Sequence, residues 1–242
     1  MSSPESRKIR LIDADPDLAR GLGERERELV RRYAVADLVG LEAGPWAPPA
    51  QEEGQLGLLV LEGLILRSLE LTGSTCAELV GDGDVLRPWD PEPADGSSTG
   101  ITWTALTPVR FAVLDRRFAT LAGRCPALLD VVLARVTEHS RRAALQLAIT
   151  HVTRVDMRLQ LLLWFLADRW GRVGREGVVV PLVLTHLQLA QLVGAHRPSV
   201  TTALGELVSL GEITRRRDGS WLLHGRRPDW SDPAVPALSA TG

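Results

Sequence analysis

The sequence predicts an α+β chain in three parts: an N-terminal antiparallel β-roll, one long helix, and a C-terminal helix-turn-helix closed by a short basic hairpin. Three stretches of the 242 residues carry that prediction. Residues 184–223 switch from helical to two-residue periodicity at well-marked boundaries. Residues 126–155 repeat apolar side chains every three or four positions. Residues 35–115 break into short apolar runs separated by Gly and Pro, the pattern of paired strands.

In the C-terminal stretch, Leu187, Leu189, Ala190, Leu192 and Val193 give a first helix its apolar side. Thr185 precedes it, where a hydroxyl can accept from the free N–H groups of the first turn. Gly194 ends it, the residue that turns a chain at no steric cost. A second helix opens at His196-Arg197-Pro198-Ser199, with proline in the first turn, where its missing N–H is harmless. Val200, Ala203, Leu204 and Leu207 face the first helix and leave Arg197, Ser199, Thr201 and Thr202 on the other side. A polar helix face of this kind suits the major groove of duplex DNA. Residues 212–223 then form two short strands around Asp218-Gly219. Arg215, Arg216 and Arg217 on that hairpin can neutralise phosphates without reading sequence. The stretch is a winged helix-turn-helix by this reading; a helical hairpin used only for packing is the plainer alternative.

Charge is unevenly spread. The formal net charge is -2, yet residues 171–227 hold eight arginines, no lysine and four acids, leaving -6 for the rest. A basic domain on an acidic body fits a nucleic-acid reader attached to something else. Cys76 and Cys125 make neither a disulfide framework nor a metal-ligand spacing. Met1–Arg10 lacks the apolar core of a leader, and the longest apolar stretch, Leu159–Ala167, is too short to cross a bilayer. A cytoplasmic protein with no membrane partner is expected. The five histidines are scattered, and no Gly-x-Ser-x-Gly elbow, phosphate-binding glycine loop or carboxylate cluster is present. No catalytic residue is assigned, and no enzyme is expected.

Taken in order, residues 1–24 read as a loose polar arm, with Ile9, Leu11 and Ile12 its only anchors. Glu24–Arg32 reads as a short exposed helix, Val35–Leu41 as a strand, and Gly44–Pro49 as a breaker. Gly57–Leu71 reads as two strands flexed at Gly63, because glycine is poor inside a helix. Cys76–Val80, Val85-Leu86, Thr102–Leu106 and Val109–Leu114 add further strands, completing a roll over 25–125. A long helix follows over 126–152. Leu129, Val132, Val136, His139, Ala143 and Gln146 keep a 3-4 spacing along it, with Leu133 and Leu147 beside them. The repeat runs near thirty residues, about 45 Å at ~1.5 Å per residue, which is long for an ordinary globular helix; a single core helix packed within the chain is the plain reading. Thr153–Gln160 begins the next helix, which runs to Trp170, and Gly171–Gly177 is a turn before a strand at Val178–Val180. The winged unit spans 153–227, and a proline-containing tail over 228–242 is expected to be disordered.

Leu192-Val193-Gly194-Ala195-His196-Arg197-Pro198-Ser199-Val200 resembles the helix-turn-helix of the cyclic-AMP receptor protein / fumarate–nitrate regulator (CRP/FNR) superfamily. Leu61-Glu62-Gly63 and Gly83-Asp84-Val85-Leu86 resemble turns of that family's β-roll. The resemblance implies a homodimeric bacterial transcription regulator on a pseudo-palindromic DNA operator, with RNA polymerase as a further partner. Arg197 falls on the family arginine that reads a guanine edge. Pro198 stands for the usual Glu and Thr202 for a second Arg, so the family half-site does not carry over. By the resemblance, Ser199, Thr201, Thr202 and His196 supplement Arg197, while Thr185, His186 and Arg215–Arg217 hold phosphates. Leu129, Val132, Val136, His139 and Ala143 would form the dimer interface.

In the family, a Gly-Glu pair and an Arg-Ser pair hold a cyclic nucleotide. Here the first pair is Arg87-Pro88 and the second falls near Thr99-Gly100. Proline offers no side-chain acceptor for a ribose hydroxyl, and Thr99 and Gly100 carry no positive charge. Arg87, Thr99 and Gly100 are the candidate effector residues. Cyclic AMP is not expected to bind in the family mode, and no cofactor is assigned. Two cysteines are too few for an iron–sulfur cluster. Cys76, His139 and His151 are conceivable haem ligands, and a cyclic dinucleotide or redox signal stays open, as does a winged helix that binds protein.

Overall fold

Val35–Leu41 forms a strand (β2) as expected, but its partner in the sheet is Arg7–Arg10 (β1), in the segment expected to be a loose arm. The structure is a computed structural model that describes residues 7–89, 100–225 and 227–228. The side chains of β1 are largely exposed, so hydropathy gives no sign of it. What fixes it is the helical turn after it, α1 (Leu11–Ala14), in which Leu11 and Ile12 are buried. A 3-10 turn at Pro16–Ala19 and helix α2 (Glu24–Tyr33) complete this corner, burying Leu18 and Val30. Residues 7–33 are thus built into the roll. Gly44–Trp46, expected to be a breaker, is also a strand (β3). It pairs with β8 (Gly100–Ala105) as an edge strand, where the missing N–H of Pro45 is tolerated. Trp46 stacks on Phe111 at 5.0 Å between centroids and meets Trp103 edge-on at 5.8 Å. That aromatic contact holds the strand in place.

The chain divides into two units, residues 1–71 with 79–141 and residues 72–78 with 142–242. The first holds the roll. Its strands include β4 (Gly57–Glu62), β5 (Leu64–Leu71), β6 (Ser74–Gly81, begun in the second unit), β7 (Val85–Leu86) and β9 (Val109–Leu114). One sheet runs β1-β2-β9-β4-β7 and the other β3-β8-β5-β6. Leu58 and Val60 of β4 point into a core between the sheets, with Ile65, Val80, Trp103 and Phe111. Leu59 points the other way, with Ala112 and Leu114, into a core against the helices. A strand covered on both faces reads as a continuous apolar run, which is why GLLVLE shows no alternation. Gly63, at φ +106°, separates β4 from β5. A Cβ there would lie 2.4 Å from the Pro108 carbonyl oxygen, so only glycine fits.

Helix α3 (Arg116–Arg124) was not anticipated. Asp115 caps it, its Oδ1 accepting from the backbone N–H of Arg117 at 2.9 Å and Phe118 at 3.0 Å. Helix α4 (Pro126–Thr150) is the long helix, ending at Thr150 rather than 152. In the first unit it is pinned by Arg135, whose guanidinium forks onto the Asp15 carboxylate with Nη2 2.9 Å from Oδ1.

The second unit continues through α5 (Val155–Trp170), β10 (Arg172–Val173), β11 (Val178–Val180), α6 (His186–Val193), α7 (Arg197–Ser209), β12 (Ile213–Arg215) and β13 (Trp221–Leu223). β10 lies inside the expected 171–177 turn and pairs with β11. The four strands run β10-β11-β13-β12, with β13 central and Trp221 fully buried. Leu159, Leu162, Leu163 and Leu166 of α5 are buried where α5 packs on the two following helices, and Leu161 is buried on its other side with Ile149 and Val152.

Candidate nucleic-acid interface

α6 starts where its sequence says it should. Thr185 and Gln188 form a reciprocal box: Thr185 Oγ1 accepts the Gln188 N–H at 3.2 Å, and Gln188 Oε1 accepts the Thr185 N–H at 2.8 Å. Gly194 ends it in the left-handed region, at φ +61°. The carbonyls left open at that end are taken by Arg158 of α5. Its guanidinium donates to the carbonyl oxygens of Gly194 at 3.0 Å and Val193 at 3.3 Å, and its Nε donates to that of Val152. Leu187, expected on the apolar side, is 54% exposed; Leu189, Ala190, Leu192 and Val193 form that side without it.

α7 buries the four residues expected, Val200, Ala203, Leu204 and Leu207. Arg197, Pro198, Ser199, Thr201 and Thr202 are exposed, as is the helix-capping residue His196. The hydroxyls of this face are partly committed. Thr201 Oγ1 donates to the Arg197 carbonyl at 3.1 Å, and Thr202 Oγ1 to the Pro198 carbonyl at 3.3 Å.

One network ties both helices to the wing. Arg215 Nη1 lies 3.4 Å from His186 Nε2, and His186 Nδ1 lies 2.9 Å from Thr201 Oγ1. A guanidinium only donates, so Nε2 accepts, Nδ1 carries the proton, and Thr201 accepts it while donating to Arg197. Burial, then Arg215, then Arg197 push the His186 imidazole below its ordinary range, which keeps it neutral for that role. Arg215 also lies over the Trp221 ring, 5.2 Å from its centroid. Sequence reasoning placed His186 among phosphate contacts and gave no sign of this link, since two helices and a strand must pack before the three residues meet.

The wing turn is closed by the Gly219 N–H on the Arg216 carbonyl at 3.0 Å and the Arg216 N–H on the Ser220 carbonyl at 2.9 Å, with Gly219 at φ +83°. Asp218 Oδ1 accepts from the Ser220 hydroxyl at 2.6 Å and its N–H at 2.9 Å; these two bonds hold the carboxyl below the usual range. Asp218 is thereby spent on the turn, and Arg215, Arg216 and Arg217 stand exposed around it.

The family model of the Crp-like helix-turn-helix domain matches residues 157–226. A curated relative, regulatory protein CysR of Synechococcus elongatus, is 37% identical over 73 residues. That match covers 29% of this chain and spans about a third, 35%, of the relative's own length. Among solved structures, a CRP-family transcriptional regulator of Thermus thermophilus superposes with TM-score 0.57 at 21% identity, over 77% of this chain and 92% of that one. A cyclic nucleotide-binding domain containing protein of Listeria monocytogenes gives 0.63 at 18%, over 76% and 87%. A CooA mutant from Carboxydothermus hydrogenoformans gives 0.60 at 16%, over 90% and 91%. The chain has the CRP/FNR fold and a Crp-like helix-turn-helix domain.

Of the three candidate effector residues, Arg87 and Gly100 lie among the described residues. Arg87 is exposed, with Nη1 3.5 Å from the Leu56 carbonyl oxygen. Gly100 opens β8 opposite Glu70 of β5, and Thr99 lies outside the described residues. Cys76 is exposed and Cys125 buried. Among the described residues no helix is long and apolar enough to cross a membrane.

The long helix of the CRP/FNR fold divides the expected interface residues in two. Val132 is 7% exposed and sits in the helical core of the roll, and His139 faces the buried Asp84, with Nδ1 3.9 Å from Oδ1. Neither lies on a free face, because the strands and α1 claim that side of the helix. Leu129 and Val136 are exposed and Ala143 is half-buried, so these three stay available. Between them lie Leu133 and Leu147, 52% and 60% exposed, and Ser140. Leu129, Val136, Ala143 and Leu133, Ser140, Leu147 are two interleaved seven-residue series, the a/d pattern of a coiled-coil seam. The 3-4 spacing alone fits either side of the helix.

Proposed function

We propose that this chain is a homodimeric, sequence-specific transcription regulator that binds pseudo-palindromic duplex DNA. The observation that carries this reading is the exposed face of α7, with Arg197 at its start and the wing arginine Arg215 held beside it through His186. Arg197 reads a base edge in the major groove, with Ser199 and His196 next to it. Arg216 and Arg217 take phosphates, and Thr185 supplies a hydroxyl at the start of α6. The exposed seam of α4 pairs with the same seam of a second copy, which sets two α7 helices on half-sites about one DNA turn apart. RNA polymerase is the further partner of such a regulator.

In the same reading cyclic AMP is not the effector. Pro88 supplies no acceptor for a ribose hydroxyl, and Arg87 is engaged near Leu56. A purified full chain offered a random duplex pool at two salt concentrations should enrich a two-fold symmetric site, with affinity falling steeply as salt rises. Sedimentation should show a dimer. Loss of salt dependence, or an enriched site without symmetry, would sink the proposal.

A further inference from the structure

α7 carries a feature that the fold does not require. Gly205 lies in the middle of the helix, has no positive φ, and a Cβ added to it would meet nothing within 4 Å. Glycine is among the poorest residues for a helix interior, so neither packing nor backbone geometry accounts for it. At 3.6 residues per turn, Pro198, Thr202 and Gly205 fall within about 60° of one another, and the buried residues lie on the opposite side. These three residues form the outermost line of the exposed face. Arg197 and Ser199 flank it, each about 100° from Pro198.

That line offers a base no side-chain donor. Pro198 has none. The Thr202 hydroxyl hydrogen goes back to the Pro198 carbonyl at 3.3 Å, and that of Thr201, on the Arg197 side, to the Arg197 carbonyl at 3.1 Å. With its hydroxyl committed to the helix backbone, exposed Thr202 has its γ-methyl as the remaining side-chain group to offer, one helical turn from Pro198. Gly205 lets the backbone come close to whatever lies opposite. In the major groove the group that matches an apolar surface is the 5-methyl of thymine.

We infer that Pro198 and Thr202 read thymine methyl groups next to the base contacted by Arg197. The inference rests on the DNA-binding reading above and specifies the DNA it selects: half-sites with thymine where α7 comes nearest the groove floor.

The test takes the site enriched by the full chain at low salt and replaces its thymines one at a time with deoxyuridine, which removes only the methyl. One or two positions per half-site should then lose about fourfold in affinity each, the effect of losing one buried methyl contact. Thr202→Ser should lose the deoxyuridine effect at one of these positions, and Thr202→Val should keep it at every one. Gly205→Ala should melt higher than the parent while binding the site more weakly. An enriched site whose affinity ignores every deoxyuridine, or equal discrimination by Thr202→Ser, would overturn the methyl reading and leave DNA binding standing. No enriched site at all would overturn both.

Discussion

Nδ1 of His186 lies 2.9 Å from Oγ1 of Thr201, so the opening residue of one helix holds a side chain on the exposed face of the next. The same ring accepts from Arg215 on the wing. The arrangement needs a neutral imidazole, since a protonated ring has no acceptor for a guanidinium. Burial, Arg215 and Arg197 lower the His186 pKa in the folded state, so the unfolded chain binds the proton more readily. The stabilisation is therefore complete above the unfolded imidazole value near 6.5 and declines as pH falls below it. Urea unfolding between pH 7.5 and 5 should show the parent losing stability faster than His186→Gln. Parallel curves would remove His186 from this role.

The wing arginines act without sequence. Arg216→Ala should weaken binding to specific and random duplexes by similar factors, and lower the salt slope by about one. Arg197→Ala should instead cost about 1–3 kcal/mol on the preferred site and relax selection at one base pair. Titrations on both duplexes at several salt concentrations separate the two. A wing variant that changes sequence preference would contradict the division between positioning and reading.

The helix-turn-helix was legible because each boundary has a local cause: the Thr185 box, the left-handed Gly194, Pro198 in the first turn of α7. The strands β4 and β5 were legible because Gly63 has one conformation that fits. β1 was not, since Arg7-Lys8-Ile9-Arg10 is a strand only through its pairing with Val35–Leu38. β3 needed the Trp46 contacts with Trp103 and Phe111, which join distant parts of the sequence. The side of α4 that faces outward was half legible. Apolar residues occupy both sides, and only the roll shows which are spent on it.

That division of α4 makes a paired prediction. Leu133→Glu should leave the thermal unfolding of the monomeric fold nearly intact but abolish the dimer in sedimentation, because Leu133 stands exposed in the seam. Val132→Ala should do the reverse, costing about 1–3 kcal/mol of stability while dimers persist, because it opens a gap in the roll core. Exchanged outcomes would place the interface on the other side of the helix.

Gln146 gives the last expectation. It follows His139 at the same helical spacing and would fall on the same side as Val132, yet it is polar and only 9% exposed. Its amide donates both hydrogens, to the Ala77 carbonyl at 2.6 Å and the Leu192 carbonyl at 3.1 Å. All three residues belong to the second unit, so the bonds tie residues 72–78 and the end of α6 to the long helix. Gln146→Leu keeps the volume but strips two carbonyls of their donor, and each buried unsatisfied group costs about 1–3 kcal/mol. The loss should appear as a lower melting temperature and as faster amide exchange at the end of α6 and in residues 72–78, with the roll protected as before. Gln146→Glu should be worse at neutral pH, because a carboxylate would face two carbonyl oxygens, and should recover partly on acidification as the carboxyl regains a donor. A leucine variant as stable as the parent would mean that the two carbonyls find water instead.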